Sequence, residues 1–252
     1  PPPSFHYSHS YSRHLSFISL SLSLSLSLSL SLSPSFIDAI EFCGPQAGVL
    51  VAPILPSMIA GCTDPDEGIR QCSTYGIGQI AKHQSALLAP RCAEVMQRLM
   101  SVVNAADARS EDNLEATENA VGAIGRIAIH MEASVDAAAL LPFWLSQLPI
   151  RGDKVEACEV HETLCSLLET PARSAQLAPH MAHVVKVFGA CLAGDEDEDG
   201  DVEQLAFEAT KLRIAHLVRQ MNASLPPAVM QQASVGMAPR ESAALAAAIA
   251  SQ

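Results

Sequence analysis

Aromatic and basic side chains are both scarce in this sequence. Phe, Trp and Tyr make up 4% of its 252 residues, and 15 Lys and Arg face 27 Asp and Glu, which gives a net charge of -12. Binding to nucleic-acid phosphates needs clustered positive charge, so this balance argues against nucleic acid as the main ligand and favours basic partners. The sequence contains no run of 18 or more apolar residues. Insertion into a membrane is therefore not expected.

The cysteines indicate thiols rather than disulfides or a metal framework. They number seven, form no C-x-x-C pair and lie at positions 43, 62, 72, 92, 158, 165 and 191. This scatter is typical of reduced, mostly buried thiols in a cytosolic or nuclear protein. Cys158, His161 and Cys165 share one helical face, so zinc is an alternative, but a fourth ligand is lacking and apolar neighbours favour packing. We expect no metal and no cofactor.

The beginning of the chain is of low complexity. Residues 19–33 read SLSLSLSLSLSLSLS, an alternation that has the period of a strand. Half of these residues are Ser, whereas a secretory signal needs a continuously apolar segment. We expect residues 1–35 to be a disordered leader outside the functional fold, and a spurious gene start would produce the same text.

Internal repeats organise the rest of the chain. The pattern I-G-[QR]-I-A-x-H occurs at residues 77–83 and again 47 residues later. The segments LVAP, LLAP, ALLP and QLAP end in prolines that stand 37, 52 and 37 residues apart, at positions 53, 90, 142 and 179. Such spacings are typical of HEAT and armadillo repeats, which have two or three helices each. Because proline is tolerated in the first turn of a helix, each proline predicts a helix start.

The sequence thus predicts an all-α solenoid of alternating A and B helices, separated by linkers rich in turn-forming residues. The A helices are predicted near 49–61, 88–104, 137–148 and 176–193. The B helices are predicted near 66–83, 112–132, 153–169 and 202–221, and an Ala-rich capping helix near 240–250. These helices make about four to five HEAT repeats over residues 36–221, followed by a linker and cap over residues 222–252.

Gly76 and Gly78 belong to a G-x-G-x-x-A segment that matches the fingerprint of dinucleotide-binding turns. That fingerprint needs a preceding strand, whereas this segment lies inside a predicted helix. We therefore expect the two glycines to allow close approach of a neighbouring helix. The sequence has no G-x-S-x-G elbow and no H-E-x-x-H motif, so no enzymatic activity is expected.

Four segments resemble the C-terminal HEAT repeats of the importin-beta (karyopherin) family, and within it the beta-3 branch. They read FIDAIEFCGP (36–45), DPDEGIRQCSTYGIGQIA (64–81), NLEATENAVGAIGRI (113–127) and LLPFWLSQLPIRGDKVEA (140–157). The resemblance implies a fragment of a right-handed superhelix that carries cargo proteins from the cytoplasm to the nucleus through the nuclear pore. The family releases cargo when the Ran GTPase binds. Its principal Ran-binding repeats lie N-terminal to the matched part, so Ran and nucleoporins are expected to act on the complete protein.

Two acidic groups are candidate contacts for basic cargo with nuclear localisation signals. The resemblance places B helices on the concave, cargo-binding face, where carboxylates and amides could receive Lys or Arg side chains; the candidates there are Glu115, Glu118 and Asn119. The second group is an acidic loop whose like charges favour an extended chain; its candidates are Asp195, Glu196, Asp197, Glu198 and Asp199. A solvated helix face and a solvated loop are the plain alternatives. A calcium site is disfavoured because Glu203 comes too early for the last ligand of an EF-hand loop.

Asp66 and Arg70 are expected to form a structural ion pair at i, i+4 rather than a site. Two other functions stay open from the residues alone. One is a HEAT-repeat scaffold or regulatory subunit without Ran dependence, and the other is an enzyme with a solenoid-like helical domain.

Overall fold

The structure, a computed structural model, describes residue 40 and residues 44–196 and 199–251. Over these residues the regular elements are helices, apart from one short hairpin, so the all-α prediction is confirmed. The predicted leader, residues 1–35, lies outside the described residues.

The helices follow the predicted alternation closely. They are α1 (Gly48–Gly61), α2 (Glu67–His83), α3 (Cys92–Val103), α4 (Glu111–His130), α5 (Ala137–Ser146), α6 (Lys154–Glu169), α7 (Met181–Ala193), α8 (Glu208–Ser224), α9 (Pro227–Ser234) and α10 (Pro239–Ala250). Shorter helical segments precede α1 (Gly44–Ala47), α3 (Ser85–Leu88 and Ala89–Arg91) and α7 (Pro171–Leu177 and Ala178–His180). Between α7 and α8, strands β1 (Asp195–Glu196) and β2 (Val202–Glu203) pair antiparallel, with Asp195 opposite Glu203.

The helices form two layers. In the B layer, α2 lies against α4, α4 against α6, and α6 against α8, while α1, α3, α5 and α7 pack on this layer from outside. Helices α2 and α4 run parallel, because Arg70 contacts Asn113 near their starts and Gly78 faces Ala123 further along. Stacked helix pairs of this kind are the HEAT solenoid that the repeats predict.

Aspartate side chains cap the first turns of three helices, α2, α5 and α6. The side chain of Asp66 accepts the backbone N–H of Ile69 at 3.1 Å at the start of α2. Asp136 and Asp153 cap α5 and α6 in the same way. Each cap satisfies a backbone donor that the first helical turn leaves open, which is worth about 1 kcal/mol. The predicted Asp66–Arg70 ion pair does not form: Asp66 serves as this cap, and the Arg70 guanidinium donates instead to two backbone carbonyls and Asn113.

The prolines do not mark helix starts as predicted. Pro53 and Pro142 lie inside α1 and α5. Pro90 and Pro179 lie in 3-10 turns, so α3 and α7 begin at Cys92 and Met181, later than predicted. Proline has no N–H and crowds the preceding helical turn, which explains why α3 and α7 begin only after Pro90 and Pro179.

Two further differences lie near the C-terminal end. Helix α8 begins at Glu208 rather than near 202, because residues 202–203 form β2. The predicted linker contains a helix, α9, which packs on α7.

The repeated pattern I-G-[QR]-I-A-x-H supplies core residues and close helix contacts. Its isoleucines, Ile77, Ile80, Ile124 and Ile127, are fully buried. A Cβ added to Gly78 would lie 2.9 Å from Nη1 of Arg126 and 3.3 Å from Cα of Ala123. The G-x-G-x-x-A segment is thus a helix-packing element, as expected.

Candidate functional site

An acidic groove of about 490 Å³ lies between the starts of α2 and α4. It is lined by Asp66, Glu67, Gly68, Gln71, Glu111, Asp112, Glu115 and Ala116. Because the two helices are parallel, their first turns lie side by side. Carboxylates are favoured there by the positive end of each helix dipole, so the parallel packing gathers two acidic first turns into one surface.

The carboxylates of this groove have no basic partner among the residues that the structure describes. Within the described ranges, the ion pairs that the chain forms include neither Asp66, Glu67, Glu111, Asp112 nor Glu115. One oxygen of Glu115 accepts a hydrogen bond from the amide of Gln71. The groove therefore presents uncompensated negative charge to solvent. Glu115 is its one member among the predicted cargo contacts.

Arg70 lies beside the groove but does not neutralise it. Its guanidinium donates to the carbonyl oxygens of Asp64 and Pro65, each at 2.8 Å, and to the side chain of Asn113. These contacts tie the turn before α2 to the start of α4. Arg70 and Asn113 also line an adjoining cavity of about 700 Å³, together with Asp107.

Glu118 and Asn119 are buried, at 2% and 1% exposure, rather than presented on a surface. The carboxylate of Glu118 accepts the backbone N–H groups of Arg151 at 3.0 Å and Asp153 at 2.7 Å. It thereby anchors the loop between α5 and α6. Oδ1 of Asn119 has no hydrogen-bond partner among the described atoms. Both residues are covered because α4 lies between α2 and α6.

Two of the acidic-loop candidates pair with basic side chains of the same chain. Asp195 pairs with Arg151 and Lys154, and Glu196 pairs with Arg240. Asp199 is exposed but has an interaction partner, and the remaining two candidates, Asp197 and Glu198, lie outside the described residues. Like-charge repulsion predicts an extended loop, whereas nearby cations allow these residues to fold into a hairpin.

A buried ion pair crosses the B layer. Arg126 of α4 donates to Glu156 of α6 at 2.6 and 3.0 Å and to Glu159 at 2.7 Å. Burial alone would lower the pKa of Arg126, but the two carboxylates outweigh it and raise this pKa above its usual value. Lys82 of α2 also approaches Glu159, at 3.6 Å. These charges are compensated by one another and hold three helices together.

The face that carries Cys158, His161 and Cys165 is occupied by packing and hydrogen bonds. Nδ1 of His161 donates to the carbonyl of Leu205 at 2.7 Å, and Nε2 accepts the N–H of Ile150 at 3.4 Å. Burial lowers the pKa of His161 to about 4, and it raises the pKa of the Cys165 thiol to about 12. In the part of the chain that the structure describes, no three His, Cys, Asp or Glu side chains are placed to hold a metal ion.

No helix in the described part of the chain has both the length and the apolar composition that a membrane-spanning helix needs.

No protein-family model matches the chain. It is 26% identical over 195 residues to a probable importin-5 homolog of Dictyostelium discoideum, which covers 74% of this chain and 18% of that protein. Importin subunit beta-3 of Saccharomyces cerevisiae is 27% identical over 133 residues, covering 52% of this chain and 12% of the relative. A probable importin subunit beta-4 of Schizosaccharomyces pombe is 22% identical over 170 residues, covering 65% and 15%.

The chain spans less than a fifth of the length of the curated relatives it matches. All three relatives are importins. By these matches, the chain is similar to members of the importin-beta family.

Proposed function

We propose that the chain is part of a nuclear transport receptor and binds basic segments of cargo proteins in the acidic groove at the starts of α2 and α4. The observation that carries this proposal is the row of carboxylates in that groove, which have no basic partner among the described residues. The importin relatives support the same function.

Charge determines which partner fits this groove. Lys and Arg side chains of a nuclear localisation signal would form charge-assisted hydrogen bonds with Glu67, Glu111 and Glu115. The positive ends of α2 and α4 oppose a cation there, but each amounts to roughly half an elementary charge and is outnumbered by the carboxylates. The net charge of -12 would also attract basic partners over longer distances.

The complete receptor would import this cargo from the cytoplasm into the nucleus through the nuclear pore. It would contact nucleoporins on the way and release cargo when Ran binds, so it would be present in the cytoplasm, in the nucleus and at the nuclear envelope. In this function the chain catalyses no reaction and needs no cofactor.

Binding of a fluorescent Lys- and Arg-rich peptide tests the groove. In the variant Glu67→Gln/Glu111→Gln/Glu115→Gln we expect affinity to fall about tenfold or more, measured by fluorescence anisotropy at low salt, since charge-assisted contacts are lost. The matched control is Glu162→Gln/Glu169→Gln/Glu208→Gln, which removes three exposed carboxylates elsewhere. Equal affinities of the two variants would contradict binding in the groove.

The Ran-dependent part of the proposal needs the longer receptor that carries this segment. Ran bound to GTP should displace the basic peptide from that receptor. Peptide binding that persists at saturating Ran would instead indicate a HEAT scaffold or regulatory subunit.

A further inference from the structure

The hairpin between α7 and α8 connects three parts of the chain that are distant in sequence. Its conformation depends on two glycines with positive φ, Gly194 at 68° and Gly200 at 85°, a region that favours glycine. β1 faces the start of α6 on one side and the C-terminal helix α10 on the other.

Basic and acidic side chains from these three parts form one network. Arg151 binds both Asp195 of β1 and Glu241 of α10, the latter at 2.6 Å. The network is completed by Lys154, which binds Asp195 at 2.9 Å and Glu203 at 3.1 Å, and by Arg240 of α10, which binds Glu196. The hairpin thus bridges α6 to α10 through cations on both.

Helix α10 also packs directly on α7 and α8. Its buried residues are Glu241, Leu245 and Ala248, and Ile249 is partly buried against the core. Near its other end, Arg219 of α8 donates to the carbonyl of Ala248 at 3.2 Å. A helix of 12 residues is marginal on its own in water. The ion pairs therefore add to an attachment that packing on α7 and α8 also provides.

We propose that the hairpin is an electrostatic strap, which tightens the packing of α10 on the array and loosens it when mobile cations or a basic polypeptide compete for Asp195 and Glu196. The side chains of the strap are between 12% and 52% exposed, so competitors can reach them. Exposed pairs are individually weak and are screened by salt. The attachment is accordingly reversible.

Arg151 is the central residue of this strap. Burial alone would lower its pKa, but hydrogen bonding to Glu241 and the charge of Asp195 raise it above its usual value. It therefore stays charged while both carboxylates bind it. Because its backbone N–H is held by Glu118, Arg151 is fixed to the B layer while it binds the hairpin and α10.

Amide hydrogen exchange of the full chain tests the strap. In Asp195→Asn we expect the amides of Pro239–Ala250 to exchange about five- to tenfold faster than in the unmodified chain at low salt. The matched control is Glu94→Gln, which also removes a carboxylate that pairs with two basic side chains, Arg91 and Arg98. Unchanged exchange of α10 in Asp195→Asn, or an equal increase in the control, would overturn the strap.

Polylysine tests competition by a basic polypeptide, a step that rests on the proposed function. Added to the unmodified chain, it should accelerate exchange in α10 about as much as Asp195→Asn does. Binding of polylysine without acceleration would overturn loosening by a polypeptide and leave the proposed function intact. Absence of binding would contradict the proposed function, while the comparison of Asp195→Asn with Glu94→Gln would still decide the strap.

Discussion

Arg126 and Glu156 form a bidentate ion pair between neighbouring B-layer helices, with distances of 2.6 and 3.0 Å and side-chain exposures of 5% and 0%. Its position depends on two glycines. A Cβ on Gly122 would lie 1.5 Å from Oε1 of Glu156, and one on Gly78 would lie 2.9 Å from Nη1 of Arg126. The glycines of the repeated helices thus provide the space in which a charged pair is buried between them.

Gly122→Ala should therefore destabilise the chain. The new methyl group would collide with the Glu156 carboxylate and displace it from Arg126, at a cost of about 3 kcal/mol. Urea unfolding measures this cost. The control is Gly68→Ala in α2, where a Cβ would meet Asp66 at 3.4 Å; it should be neutral or slightly stabilising, because Ala favours helix over Gly. Similar midpoints for both variants would contradict the steric explanation.

The stability costs of substituting Arg126 and Glu156 should be strongly non-additive. Glu156→Leu leaves Arg126 buried with the single partner Glu159, and Arg126→Met leaves Glu156 buried without its cation, so each is expected to cost about 3–5 kcal/mol. The double variant removes both buried charges and should cost less than the sum of the two. A double-mutant cycle of unfolding free energies measures the coupling. Additive costs would show that the two side chains stabilise the fold independently.

The sequence predicted the helices of the array well because helices depend on local signals. Turn-forming linkers and capping aspartates such as Asp66 and Asp153 lie within a few residues of the helices that they delimit. The prolines were less informative, because Pro53 has a position that sequence alone does not distinguish from a helix start. Its missing hydrogen bond leaves free the carbonyl of Val49, a residue 81% exposed, which water can satisfy.

The candidate site was less predictable because its properties depend on contacts between distant segments. The sequence placed Glu115 and Glu118 on one helix, but only the packing of α2 and α6 around α4 decides that Glu118 is buried. Likewise, the sequence gives no sign that Asp195 is paired, because its partner Arg151 lies 44 residues away. The groove residues Glu67 and Glu111 were not predicted as contacts, although the sequence shows them at helix starts. Acidic first turns are common on helices, and their convergence follows from the parallel packing of α2 and α4.

The anchoring of the α5–α6 loop by Glu118 gives a third prediction. Glu118→Ala would leave the N–H groups of Arg151 and Asp153 without their acceptor, which should cost about 2–3 kcal/mol. Unfolding by urea measures the loss, and faster exchange of those two amides locates it. Glu115→Ala, one turn earlier on the exposed surface, should change stability by less than about 0.5 kcal/mol. Equal stability losses would show that Glu118 has no anchoring role.

The buried imidazole of His161 gives a fourth prediction, on the dependence of stability on pH. Its pKa is lowered from 6.5 to about 4 by burial. Between these values the unfolded chain binds a proton that the folded chain does not, so the free energy of unfolding falls as the pH falls from 6.5 towards 4. A shift of this size corresponds to about 3 kcal/mol lost across that window.

Because carboxylates also titrate in this window, the contribution of His161 must be measured as a difference. Urea unfolding of His161→Gln at several pH values should show a shallower slope between pH 6.5 and 4 than the unmodified chain, whatever its absolute stability. His216→Gln removes an exposed histidine of α8 and should keep most of the original slope. If His161→Gln retains the full slope, the imidazole is protonated in the folded chain or titrates alike in both states. The conclusion that a neutral imidazole bridges Ile150 and Leu205 would then be wrong.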